Sequence, residues 1–73
     1  MYPSQVASEV RASIARAGVT AKDVSLATGI SQAALSRKLR GIAPFDVLEL
    51  ALIADYLGIE AVVFLPSLLK ESA

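Results

Sequence analysis

Four glycines, at positions 18, 29, 41 and 58, cut the chain into pieces too short for anything but short helices. Each follows a stretch with apolar residues at helical spacing, and three of them precede a capping residue by only two or five positions. Val6, Val10, Ile14 and Ala17 recur on one face of a first helix that Ser4 can open after Pro3 and that Gly18 ends. Thr20-Ala21-Lys22-Asp23 starts a second helix as a capping box, with Val24 and either Ala27 or Thr28 facing inward, and Gly29 stops it. Ile30-Ser31 leaves no room for a loop. Ser31 caps a third helix, Gln32 to Arg40, whose inward residues are Leu35 and Leu39, and Gly41 closes it.

The strongest local signal is Phe45-Asp46-Val47-Leu48-Glu49-Leu50. Asp46 caps, Glu49 completes the box and Phe45 staples onto Leu50, opening a fourth helix through Leu52, Ile53, Tyr56 and Leu57 to Gly58. A last helical turn or two starts near Glu60 and is broken at Pro66. The expectation is therefore an all-α bundle of about five short helices forming one domain over residues 1–73, with no internal repeat or linker. A chain of 73 residues with no cysteine needs a dense apolar core, and its 55% hydrophobic content matches that need.

Composition narrows the chemistry. With no His and no Cys, the usual zinc ligands and the commonest general base are missing, so enzymatic function, a metal and a cofactor are not expected. Asp46 and Glu49 resemble a catalytic carboxylate pair only until helix capping accounts for both. The longest apolar stretch, Ala61 to Leu65, is too short to span a bilayer, and the first ten residues lack a signal peptide's basic start. A cytoplasmic protein with no membrane or small-molecule partner is expected.

The net charge of zero conceals a dipole. Residues 11–41 hold Arg11, Arg16, Lys22, Arg37, Lys38 and Arg40 against Asp23 alone, a net +5, while residues 42–73 set Lys70 against five acids, a net −4. One end of the molecule can face phosphate.

The unit from Thr20 to Gly41 carries the functional reading: a short capped helix, a glycine, a tight turn, a second capped helix and a glycine. A turn this tight sets the two helices at a steep angle, so that the second protrudes. Val19-Thr20, Val24, Gly29-Ile30-Ser31, Leu35-Ser36-Arg37 and Gly41, followed by Pro44-Phe45-Asp46 and Ile53-Ala54-Asp55-Tyr56-Leu57-Gly58, resemble the Cro and phage-repressor helix-turn-helix domains over roughly residues 4–65. The resemblance implies a sequence-specific transcriptional regulator that places its third helix in the major groove of double-stranded DNA. The matching positions put Gln32, Ala33 and Arg37 on base edges. Their chemistry agrees, since Arg pairs bidentately with guanine, Gln with adenine, and an Ala methyl suits a thymine methyl. Thr20, Lys22, Ser36, Lys38 and Arg40 are expected on phosphates, whereas Arg11 and Arg16 read as plain surface. One position departs from the family: Ala21 stands where a glutamine usually bridges phosphate and recognition helix.

Val62, Val63, Phe64 and Leu65 point in every direction around a helix, so one small core can hardly cover them all. Packing in the monomer's own core is one reading of them; the other, with Leu68 and Leu69, is the interface of a homodimer, part of a dimerisation segment at 60–70, reading a pseudo-palindromic operator. Two other readings fit the same residues: a helix-turn-helix module that binds protein instead of DNA, and the amino-terminal domain of a longer regulator.

Overall fold

The computed structural model describes residues 4–64 and Pro66. Among the described residues, four α-helices run in chain order: α1 (Ser4–Ala17), α2 (Ala21–Thr28), α3 (Gln32–Leu39) and α4 (Val47–Leu57). Ala61–Phe64 form a single 3-10 turn in place of the expected fifth helix. Gly58 caps α4 and Ile59 packs on the core, so only residues 60–65 remain before Pro66, fewer than the roughly seven that two α-helical turns need.

Capping fixes the boundaries. At α2 the Thr20 hydroxyl accepts from the Asp23 N–H at 3.1 Å while the Asp23 carboxylate accepts from the Thr20 N–H at 2.9 Å. The same reciprocal pair joins Asp46 and Glu49 at the start of α4, at 2.7 and 3.0 Å. At the C-termini of α1, α3 and α4, the amide just after the terminal left-handed glycine closes a longer backbone ring: Val19 to the Ile14 carbonyl, Ile42 to Arg37 and Ile59 to Ala54. Val19 and Ile59 then pack on the core, so each stop signal also anchors the next segment.

Val6, Val10 and Ile14 of α1, Val24 of α2, Leu35 of α3, and Leu50, Ile53 and Ala54 of α4 form one core, with Ile30 and Phe45 filling the corners. Ala27, expected as an inward residue of α2, is exposed, Thr28 is half-buried, and the buried neighbour of Val24 is Ser25. The physical reason is the turn: the Ser25 hydroxyl donates to the Ile30 carbonyl at 2.5 Å, so the polar group leaves water with a partner already in place.

Phe64 is a correction of a different kind. It is only 1% exposed and lies in the core of its own monomer, against α1 and α4, so its ring is not offered to a second copy. The 3-10 turn turns one residue of the apolar run inward and leaves Val62 and Val63 exposed. Leu65, Leu68 and Leu69, the other expected interface residues, lie outside the described residues.

Candidate nucleic-acid interface

The geometry of the α2–α3 unit begins at Gly29. Its backbone φ of +81° is left-handed, a conformation that side chains with a Cβ adopt only at a cost of about 1 kcal/mol. That reversal lets the chain leave α2 and enter α3 across only Gly29, Ile30 and Ser31. Ile30 plugs the corner with 9% exposure. Its N–H lies 3.4 Å from the Thr28 hydroxyl, which itself donates to the Val24 carbonyl at 2.8 Å. Ser31 starts α3 by accepting from the Ala34 N–H at 3.1 Å. The turn is thereby hydrogen-bonded at both rims and apolar in the middle, which holds α3 at a fixed attitude to α2.

With Leu35 buried and Leu39 packed against the core, the opposite side of α3 faces water. Gln32, Ala33, Ser36, Arg37 and Arg40 are all exposed. Among the described residues the Gln32 and Arg37 side chains have no hydrogen-bond or ion-pair partner, so their donors are free for an external ligand. Among the described residues the Arg40 side chain bonds only to the Ser36 carbonyl one turn back, at 3.4 Å, and Lys22 stands beside Asp23 without pairing to an acid at short range.

Lys38 does not share this face. Its ammonium pairs with the Glu49 carboxylate, and both side chains are 17% exposed. The pair bridges α3 to the capping box of α4, since the other oxygen of Glu49 accepts the Asp46 N–H. A cation committed to a structural carboxylate is a poor phosphate ligand, so the expected phosphate role of Lys38 gives way to a packing one. Thr20 is partly committed as well: its N–H and a hydroxyl lone pair serve the capping box, leaving the hydroxyl proton and the Ala21 and Lys22 amides. The Thr20 backbone N–H, and after it the Thr20 side chain, hold the Asp23 carboxyl below its ordinary 3.8.

Arg11, read from the sequence as plain surface, reaches from α1 to the Leu39 carbonyl at the end of α3, with a second guanidinium nitrogen 3.1 Å from the Ser8 hydroxyl. It thus ties down one of the carbonyls that every helix leaves open at its C-terminus. No local pattern announces a partner 28 positions away; the only signal was an arginine on the flank of a stripe that packs on α3. Arg16, by contrast, is paired with Glu9 at 3.3 Å on the surface of α1.

Arg11, Ala21, Gln32, Leu35, Ser36, Leu39 and Arg40 line a cleft of about 430 Å³ between the start of α2 and the outer flank of α3. Its floor is apolar and its rims carry two guanidinium groups. Ala21 contributes a methyl there, so no side chain spans from α2 to α3 at the position where a glutamine would.

A family model described as helix-turn-helix matches residues 10–64, well over half of the chain, from within α1 through the α2–α3 unit to Phe64. Comparison with curated proteins and with solved structures gave no match.

Proposed function

The chain belongs to the lambda-repressor- and Cro-like helix-turn-helix family, a family of DNA-binding regulators that is generally non-enzymatic, and we propose on that footing a sequence-specific repressor or Cro-like switch that binds a pseudo-palindromic operator as a dimer. The observation that carries this reading is the outer side of α3. Gln32 and Arg37 stand there exposed and unpartnered, on a helix whose ends and attitude are fixed by caps, the Gly29 turn and Arg11. Base reading needs donors that are free before DNA arrives and that stand on a rigid support.

In this reading Arg37 meets a guanine, Gln32 an adenine and the Ala33 methyl a thymine methyl. Lys22, Arg40, Ser36 and the Thr20 hydroxyl contact phosphates, orienting the protein without reading sequence. No helix among the described residues is long and apolar enough to cross a membrane, and DNA is the partner that the charge dipole fits.

Selection of duplexes from a random library, followed by titration across salt concentrations, tests the proposal. Lys22 and Arg40 bring two cations to phosphate in each copy, so a dimer should show a slope of log affinity against log salt of about −3.6. No enriched sequence together with a flat salt response would overturn it and favour a protein-binding role for the same fold.

A further inference from the structure

Arg11 belongs to α1 and Arg40 caps α3, yet both guanidiniums are anchored to one stretch of backbone. Arg11 donates to the Leu39 carbonyl and Arg40 to the Ser36 carbonyl. Those acceptors are three positions apart on α3, about 4.5 Å along the helix axis, so the two cations converge on the same cleft. Covering the carbonyls also reduces the partial negative charge that a helix end presents. A guanidinium is a fork of about five donors. Arg11 commits two nitrogens, to Leu39 and Ser8, and Arg40 commits its Nε, so both keep N–H groups for an external acceptor. Among the described residues neither is paired with a carboxylate, and no acid lines the cleft.

The floor between them has the opposite character. Leu35, the half-buried Leu39 and the Ala21 methyl make it apolar, and no longer side chain reaches across from α2. Its volume of about 430 Å³ falls within the roughly 300–1,000 Å³ of small-molecule sites, which are apolar with a few convergent polar groups. No linear pattern places Arg11 beside Arg40, which is why no small-molecule partner is expected from the sequence.

We propose that this cleft binds a small amphipathic anion, a carboxylate carried on an aromatic or aliphatic body, and that an occupied cleft competes with DNA. The carboxylate sits between the Arg11 and Arg40 forks, whose planar donors suit its two oxygens. The body covers the apolar floor and removes it from water. Both halves of the ligand are needed. A bare phosphate satisfies the cations and leaves the floor wet, and a neutral apolar molecule covers the floor and leaves the cations unmatched. The competition rests on the DNA-binding reading above, because Gln32, Ser36 and Arg40 line the cleft and are the residues assigned there to base and phosphate. A second cleft, lined by Ser13, Arg16, Leu57 and Val63 among others, is the poorer candidate, since its one cation is already paired with Glu9 at 3.3 Å.

The probe is 4-phenylbutyrate, titrated into the protein without DNA and followed by backbone amide shifts, with its neutral carboxamide and inorganic phosphate as comparisons. Expected is saturation at a Kd of about 0.1–1 mM, with shifts centred on Ala21, Gln32, Leu35, Ser36 and Leu39. The carboxamide keeps the body without the charge and phosphate keeps the charge without the body, so each binds at least about tenfold more weakly. Arg40→Gln, and Ala21→Leu, which fills the floor, weaken the probe about fivefold or more. Arg16→Gln, an equal loss of charge outside the cleft, leaves it unchanged. Circular dichroism first shows that each variant remains helical. No saturable shift in the cleft, equal binding of the carboxamide or of phosphate, or a loss caused by Arg16→Gln instead overturns the site. On a selected duplex, the probe at ten times its Kd weakens DNA binding about tenfold relative to the same concentration of sodium chloride. Probe bound in the cleft with DNA affinity unmoved overturns the competition. If no duplex is bound at all, the DNA-binding reading fails separately, and the shifts without DNA decide the ligand site.

Discussion

Replacing Phe64 with alanine removes the largest fully buried side chain among the described residues, 1% exposed at the end of the 3-10 turn and packed into the core formed by α1 and α4. Loss of a buried phenylalanine ring costs about 3–5 kcal/mol, combining the lost transfer energy with the cavity left behind. A domain of this size has a total stability on the order of 4–11 kcal/mol, so the substitution removes between about a quarter and all of it. Urea unfolding followed by circular dichroism should show the midpoint falling by the full amount at both low and high protein concentration, because the ring acts inside one monomer. Thermal unfolding should shift by at least about 12 °C in the same direction. A loss below about 1 kcal/mol, or a loss that grows with protein concentration, would return Phe64 to an intermolecular contact and unseat the described core.

Lys38→Ala should lower stability by about 1–2 kcal/mol through its pair with Glu49 and leave the salt slope of DNA binding unchanged. Arg40→Ala, measured by the same urea and salt titrations, should do the reverse, making the slope shallower by about one unit per copy at constant stability. Asp23 is an acid held below its ordinary value by Thr20, so its cap supports the fold fully above about pH 4 and is lost as pH falls through the lowered value. Acid unfolding of Asp23→Asn should therefore be less steep over that range than that of the unmodified protein, and an identical profile would count against the cap. Arg11→Ala frees the Leu39 carbonyl, and amide exchange at Gly41 and Ile42 should accelerate about three- to tenfold while α1 stays protected. Unchanged exchange there would show that the guanidinium does not brace α3.

What sequence reading captured was local. The capping boxes at Thr20–Asp23 and Asp46–Glu49, the left-handed stop at Gly29 and the Phe45–Leu50 corner each depend on residues within a few positions of one another. Such signals fix where helices begin and end and which side of α3 faces water. What it missed was set by packing between distant segments. Lys38 finds Glu49 only after α3 and α4 are docked, and Arg11 finds Leu39 only across the α1–α3 contact. Ser25 looks like a surface residue until the turn brings the Ile30 carbonyl over it. In α-helical geometry the four consecutive apolar residues from Val62 to Leu65 need two partners. A 3-10 turn with one buried ring needs only the core it already touches. The outward apolar face of α4 was visible in the sequence as Leu48, Leu52 and Tyr56. Its exposure is not legible there, because periodicity shows that a helix has apolar sides without showing which of them is covered.

The claim on which the rest depends is that Arg37 reads a base. The decisive measurement is the binding of Arg37→Ala and Arg40→Ala across a library of single-base variants of the selected duplex. Arg37 is exposed and unpartnered, so neither change should disturb the helical circular dichroism signal. Expected for Arg37→Ala is a loss of about 1–3 kcal/mol on the best site, with preference flattened at one base pair in each half-site. Arg40→Ala should lower affinity for every variant by one common factor. Should Arg37→Ala also lower every affinity by one common factor, leaving the ranking of variants intact, its contact is with phosphate and the assigned reading face of α3 is wrong.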